Sequence, residues 1–104
     1  MKKRLIENLL DKVGIHINQL GYKYLIYAVE LKIENYDIKV GEIYRKVADK
    51  YNTKATCTER AIRHARLSVE NKIEKIFDVN YKIDNGNLIA LLAREVERNN
   101  FQVM

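Results

Sequence analysis

No proline interrupts the 104 residues of this chain, and apolar and polar residues almost nowhere alternate with the period of a strand. Proline breaks helices because its ring fixes φ and it has no N–H to donate. Its absence, with apolar residues recurring every three to four positions, predicts helices throughout. Leu5, Ile6, Leu9, Leu10 and Val13 form the first stripe, which Gly14 ends. After Gly21 comes a second, of Tyr24, Leu25, Ala28, Val29, Leu31 and Ile33, fading into the polar stretch from Asn35 to Lys39. Val40, Ile43, Tyr44, Val47, Ala48 and Tyr51 keep helical spacing up to Asn52, a residue that tolerates the left-handed conformation at a helix end.

Thr56 and Glu59 fit a capping box, in which hydroxyl and carboxylate satisfy each other's backbone N–H groups. That motif predicts a fourth helix from Thr56 to about Asn71, with a short fifth over Ile73 to Phe77. Asp84-Asn85-Gly86-Asn87 reads as a turn and cap before a last helix that carries Leu88, Leu91, Leu92 and Val96 on one side. The expected architecture is all-α: one domain over residues 1–104 with about six helices.

A chain this long builds one core of its own and little beyond it. Its 47% apolar content is too high for a disordered tail. The lone cysteine excludes a disulfide framework and, without clustered partners, a structural zinc site. No run of about 18 apolar residues is available to span a membrane. The opening MKKRLIENLLDK starts like a signal peptide but places Glu7 and Asp11 where an apolar segment should be. These features predict a soluble, cytoplasmic protein.

The net charge of +5 is unevenly distributed. Between Lys39 and Lys72 stand nine basic residues (Lys39, Arg45, Lys46, Lys50, Lys54, Arg60, Arg63, Arg66 and Lys72) against four acids, so this window carries the entire excess. Concentrated positive charge suits a polyanion-binding surface, although it also describes an ordinary solvated helix face. The third and fourth helices lie inside that window, separated only by Asn52-Thr53-Lys54-Ala55. Two amphipathic helices joined so closely make a helix-turn-helix, here over about residues 40–71. In its DNA-binding form the second helix enters the major groove and its N-terminal residues reach base edges.

At about 100° per residue, Ala61, Ile62, Ala65, Val69 and Ile73 gather on one side of the fourth helix. Arg60, Arg63 and Leu67 fall opposite, with Glu59 and His64 at the margins. Arg60 and Arg63 lie roughly 60° apart and one turn along, so both can enter one groove. A guanidinium meets guanine O6 and N7 with two hydrogen bonds. Glu59 could accept from cytosine N4, in competition with capping. His64 reads either as a phosphate contact or as a packed rim residue. Thr53, Lys54, Thr56 and Thr58 stand where the helix start would pass the DNA backbone.

The stretch YRKVADKYNTKATCTERAIRHA, Tyr44 to Ala65, resembles the helix-turn-helix of the DNA-binding effector domain of the stage-zero sporulation response regulator of spore-forming bacteria. Its most specific element is ERAIRHA, Glu59 to Ala65. Gly21-Tyr22 with Tyr24-Leu25 resembles that family's G-Y-x-Y-L segment, and Phe77 with IALLAREV, Ile89 to Val96, resembles its last two helices. The similarity runs from about Val13 to Arg98.

The resemblance implies a six-helix domain that binds a short double-stranded DNA box upstream of promoters as a sporulation transcription regulator, nucleoid-associated in the cytoplasm. It implies Glu59, Arg60 and Arg63 as base readers, with His64 and Lys54 as secondary contacts. It further implies tandem homodimers paired through the last helix, about residues 87–98, and contacts to RNA polymerase near Asn80 to Asn87. That connector and the one near Asn35 to Lys39 look a few residues short. Cys57 stands where the family carries a basic residue, and Leu20 where it usually carries lysine. The family's phosphoacceptor receiver would precede this domain, whereas this chain starts almost at the effector domain, so phosphorylation is not expected to switch it in cis.

No Gly-rich phosphate loop, nucleophile elbow or metal signature occurs, so an enzyme is not expected, and neither a cofactor nor a metal is. Cys57 and His64 share a helix face about 10 Å apart, too far for one zinc without further ligands. The seven tyrosines, which could stack on single-stranded bases, lie mostly within or beside apolar stripes and read as half-buried core. The competing reading is a receiver-less interaction module that pairs with a full-length regulator as an antagonist or decoy.

Overall fold

The computed structural model describes residues 2–103, with side chains for residues 2–99. The described residues run through six helices: α1 (Lys2–Val13), α2 (Leu20–Glu34), α3 (Val40–Lys50), α4 (Ala55–Ser68), α5 (Glu70–Phe77) and α6 (Asn85–Val103). Among the described residues there is no strand, so the fold is all-α as the periodicity predicts.

The middle of the fold is α2. Gly21, Tyr22, Tyr24, Leu25, Ile26, Ala28, Val29 and Leu31 are all buried, and they point around well over half of its circumference. A helix apolar on so many sides must be enclosed. It is, packing on α1, α3, α4 and α6. Leu25, Ile62, Leu88 and Leu92 are fully buried where α2, α4 and α6 meet the core. Each such side chain contributes about 1.5–3 kcal/mol relative to exposure.

Three helix ends follow from single residues. Gly14, at φ +95°, closes α1: Ile15 N–H donates to Leu10 O at 2.9 Å and Gly14 N–H to Asp11 O at 3.1 Å. Asn52 does the same for α3 at φ +54°, with Thr53 N–H donating to Ala48 O at 2.9 Å. Asp84 caps α6, its Oδ1 accepting from Asn87 N–H at 2.7 Å while Asn87 Oδ1 accepts from Asp84 N–H at 3.4 Å.

Two boundaries differ from expectation. The predicted capping box of Thr56 and Glu59 does not form: α4 begins at Ala55, and its N-cap, Lys54, makes no side-chain cap. Glu59 turns forward instead and pairs with Arg63 at 3.5 Å. The helix also stops at Ser68 rather than Asn71, with Val69 leaving helical geometry at φ −132°, ψ 24°. No glycine or proline marks this break, and the apolar stripe runs through it unaltered. Val69 packs against Gly14 at the end of α1, and Ile73 reaches the core from α5 instead of α4.

Candidate nucleic-acid interface

Between α3 and α4 the chain spends only residues 51–54, and the left-handed Asn52 produces the sharp change of direction. A close approach of α2 holds α4 from behind. A Cβ on Gly21 would lie 2.6 Å from Ala61 O and 2.9 Å from Ala65 Cβ, so only glycine allows this crossing. On the α3 side, Tyr24 and Tyr51 pack with ring centres 5.3 Å apart. Lys23 Nζ sits 4.9 Å from the Tyr51 ring and Lys50 Nζ 4.8 Å from Tyr27, anchoring two surface cations beside the turn.

The outward face of α4 presents Thr56, Cys57, Arg60, Arg63, His64 and Leu67, all exposed, while Ile62 and Ala65 lie in the core. Arg60 makes no ion pair among the described residues. Arg63 is steadied by Glu59 from the preceding turn. The missing side-chain cap leaves the first backbone N–H groups of α4 without a side-chain acceptor at an end where the helix dipole favours an anion.

A buried polar network fixes how α4 is oriented. Arg66 Nε donates to Asn85 Oδ1 at 2.8 Å, and Arg66 Nη1 donates to Ile83 O at 2.8 Å. Asn85 Nδ2 then donates to Tyr44 Oη at 3.1 Å and to Glu59 O at 3.2 Å. Five residues thereby join α3, two turns of α4, the segment before α6 and the start of α6. Burial pushes the Tyr44 hydroxyl above the usual tyrosine range; the hydrogen bond from Asn85 opposes this, and the Glu59 and Asp84 carboxylates reinforce it.

The face expected from the helical wheel is therefore largely assembled. Arg60, Arg63 and His64 share it, Glu59 borders it half-buried, and Lys54 and Thr56 stand exposed at its N-terminal end. Thr58 must be withdrawn from the contact set. It is fully buried, its hydroxyl donating to Lys54 O at 3.3 Å, and offers a phosphate nothing. Of the nine basic residues in the charged window, eight are exposed; Arg66 is the exception and belongs to the interior. Both were legible on the wheel: Thr58 and Arg66 stand one turn before and after Ile62, inside the apolar arc. Asn85, read only as part of a turn, carried no signal for its role, because its partners lie 19 to 41 residues away. Tyr22 and Tyr24 are buried, Tyr27, Tyr44 and Tyr51 half-buried, and only Tyr36 and Tyr81 exposed, which favours core over a stacking platform.

The family described as "Sporulation initiation factor Spo0A C terminal" matches residues 6–96, from inside α1 to the fully buried Val96 of α6. That span includes the turn, the exposed arginine face and the network behind it. With most of its length matched, the chain belongs to the Spo0A C-terminal family, the DNA-binding domain of a sporulation transcription regulator.

Proposed function

We propose that this domain binds double-stranded DNA sequence-specifically, with α4 in the major groove. The reading rests on one arrangement: Arg60 and Arg63 project from a single exposed face of a helix whose other side is locked by Gly21 and by the Arg66–Asn85 network. A pair of guanidinium forks carried on one face of a firmly held helix is what guanine recognition needs. Lys54, Thr56 and the uncapped N–H groups at the start of α4 supply phosphate contacts, and His64 and Glu59 reach groove positions on either flank. Affinity then comes from cations against phosphates and specificity from the arginines. The domain would act at the nucleoid, pairing on tandem sites through α6 and meeting RNA polymerase beside the DNA.

Selection of bound duplexes from a random pool tests this directly. A defined site should emerge, and Arg60→Ala should cost about 1–3 kcal/mol on it while relaxing the base preference at one position. Lys54→Ala should weaken every duplex alike and flatten the salt slope by about one. An Arg60→Ala protein that binds all duplexes as the native chain does would refute the groove assignment.

A further inference from the structure

Beside Arg60 the surface is not uniformly polar. An open groove runs between the start of α2 and the outward face of α4, lined by Leu20, Cys57, Ala61 and Ala65, with Arg60 and His64 on its rim. Leu20 is 52% exposed, and Cys57 is exposed and free. At the first position of α2 Leu20 leaves about half of its apolar surface in water beside the groove, area that a ligand seated there would bury. The α4 wall of the groove continues the face that carries Arg60, so whatever Arg60 engages lies against the groove.

We propose that this groove receives the C5-methyl group of a thymine, adjoining the base pair read by Arg60; the inference rests on the DNA-binding reading above. In the major groove the thymine methyl is the one apolar feature among the hydrogen-bonding base edges, and apolar side chains recognise it by contact alone. Cys57 lies three residues before Arg60 and about 60° around α4, which directs its small, polarisable sulfur to a neighbouring base step rather than the same one. Leu20 closes the outer side of the methyl from α2. Arg60 and this pair together read two adjacent steps, one by hydrogen bonds and one by shape.

The test uses the full chain and the duplex it selects, with each thymine replaced in turn by deoxyuridine, which keeps pairing and removes only the methyl. One position should lose about fourfold in affinity, the worth of one methyl group taken from water. That thymine-over-uracil preference should vanish in Leu20→Ser and in Cys57→Ser; both sites are exposed, so folding is preserved, as thermal unfolding would verify. Equal affinity for all thymine and uracil duplexes, or a preference untouched by both substitutions, overturns the proposal while leaving DNA binding intact. A loss shared equally by thymine and uracil duplexes would assign the groove to the sugar edge or to a second copy of the chain, and overturns it as well. If the native chain binds no duplex at all, the DNA-binding reading falls and this inference with it.

Discussion

Replacing Gly21 by alanine would place a methyl carbon 2.6 Å from the Ala61 carbonyl oxygen and 2.9 Å from Ala65 Cβ. Ordinary contact begins at 3.4 Å, so α2 and α4 must part by about 0.8 Å. Neither obstructing atom can rotate away, since one is backbone and the other a Cβ. Overpacking of this kind costs about 1–3 kcal/mol. Against it stands the helix-propensity gain of alanine over glycine, at most about 1 kcal/mol and smaller at the second position of a helix. The net expectation is a loss of about 1–2 kcal/mol, which lowers Tm by roughly 4–15 °C in a domain of this size. Because the displaced partner is α4, Gly21→Ala should also weaken binding to the selected duplex more than to random DNA, measured where the variant is fully folded. Circular dichroism melting and a fluorescence titration read the two effects separately. A Gly21→Ala protein as stable as the native chain would refute the claim that the α2–α4 crossing is too close for a side chain.

Other substitutions probe the remaining supports. Arg66→Met keeps the aliphatic stem but strips Asn85 and Ile83 of a charged donor, and should cost about 2–3 kcal/mol in urea unfolding. Since Arg66 is interior, the same variant should leave the salt slope of DNA binding unchanged, whereas a phosphate contact would reduce it. Asp84→Ala removes the cap of α6 and should cost about 1 kcal/mol, with Asp84→Asn recovering most of it. The hydroxyls of Tyr22, Tyr44 and Tyr51 are all held above their ordinary range, chiefly by burial. A raised folded-state value favours the neutral form in the fold. Its contribution is therefore complete below the ordinary tyrosine value of about 10 and is lost as pH climbs through the raised values. Unfolding monitored at alkaline pH should show stability declining there, less steeply in Tyr22→Phe; an equal slope would exclude Tyr22 as a source.

Most of the fold could be read along the chain because its determinants are local. The stripes of α1, α3 and α6, the left-handed Gly14 and Asn52, and the Asp84 cap each depend on residues within about four positions of one another. The exposed arginine face of α4 was readable for the same reason: one helix period sorts Arg60 and Arg63 from Ile62 and Ala65. At the start of α4 the local reading failed because one short-range option lost to another. Glu59 had two short-range choices, the cap or Arg63, and nothing between Thr56 and Glu59 discriminates them.

Sequence alone determined that this chain makes amphipathic helices, that two of them join through a four-residue turn, and which side of the second faces outward. Only the tertiary structure decided that Arg66 finds its partners in Asn85 and Ile83, that α4 breaks at Val69, that Gly21 admits α4 at contact distance, and that Leu20 and Cys57 line one groove. Periodicity records the direction of a side chain about its own helix axis. It holds no information about what another helix, tens of residues away, brings to meet it.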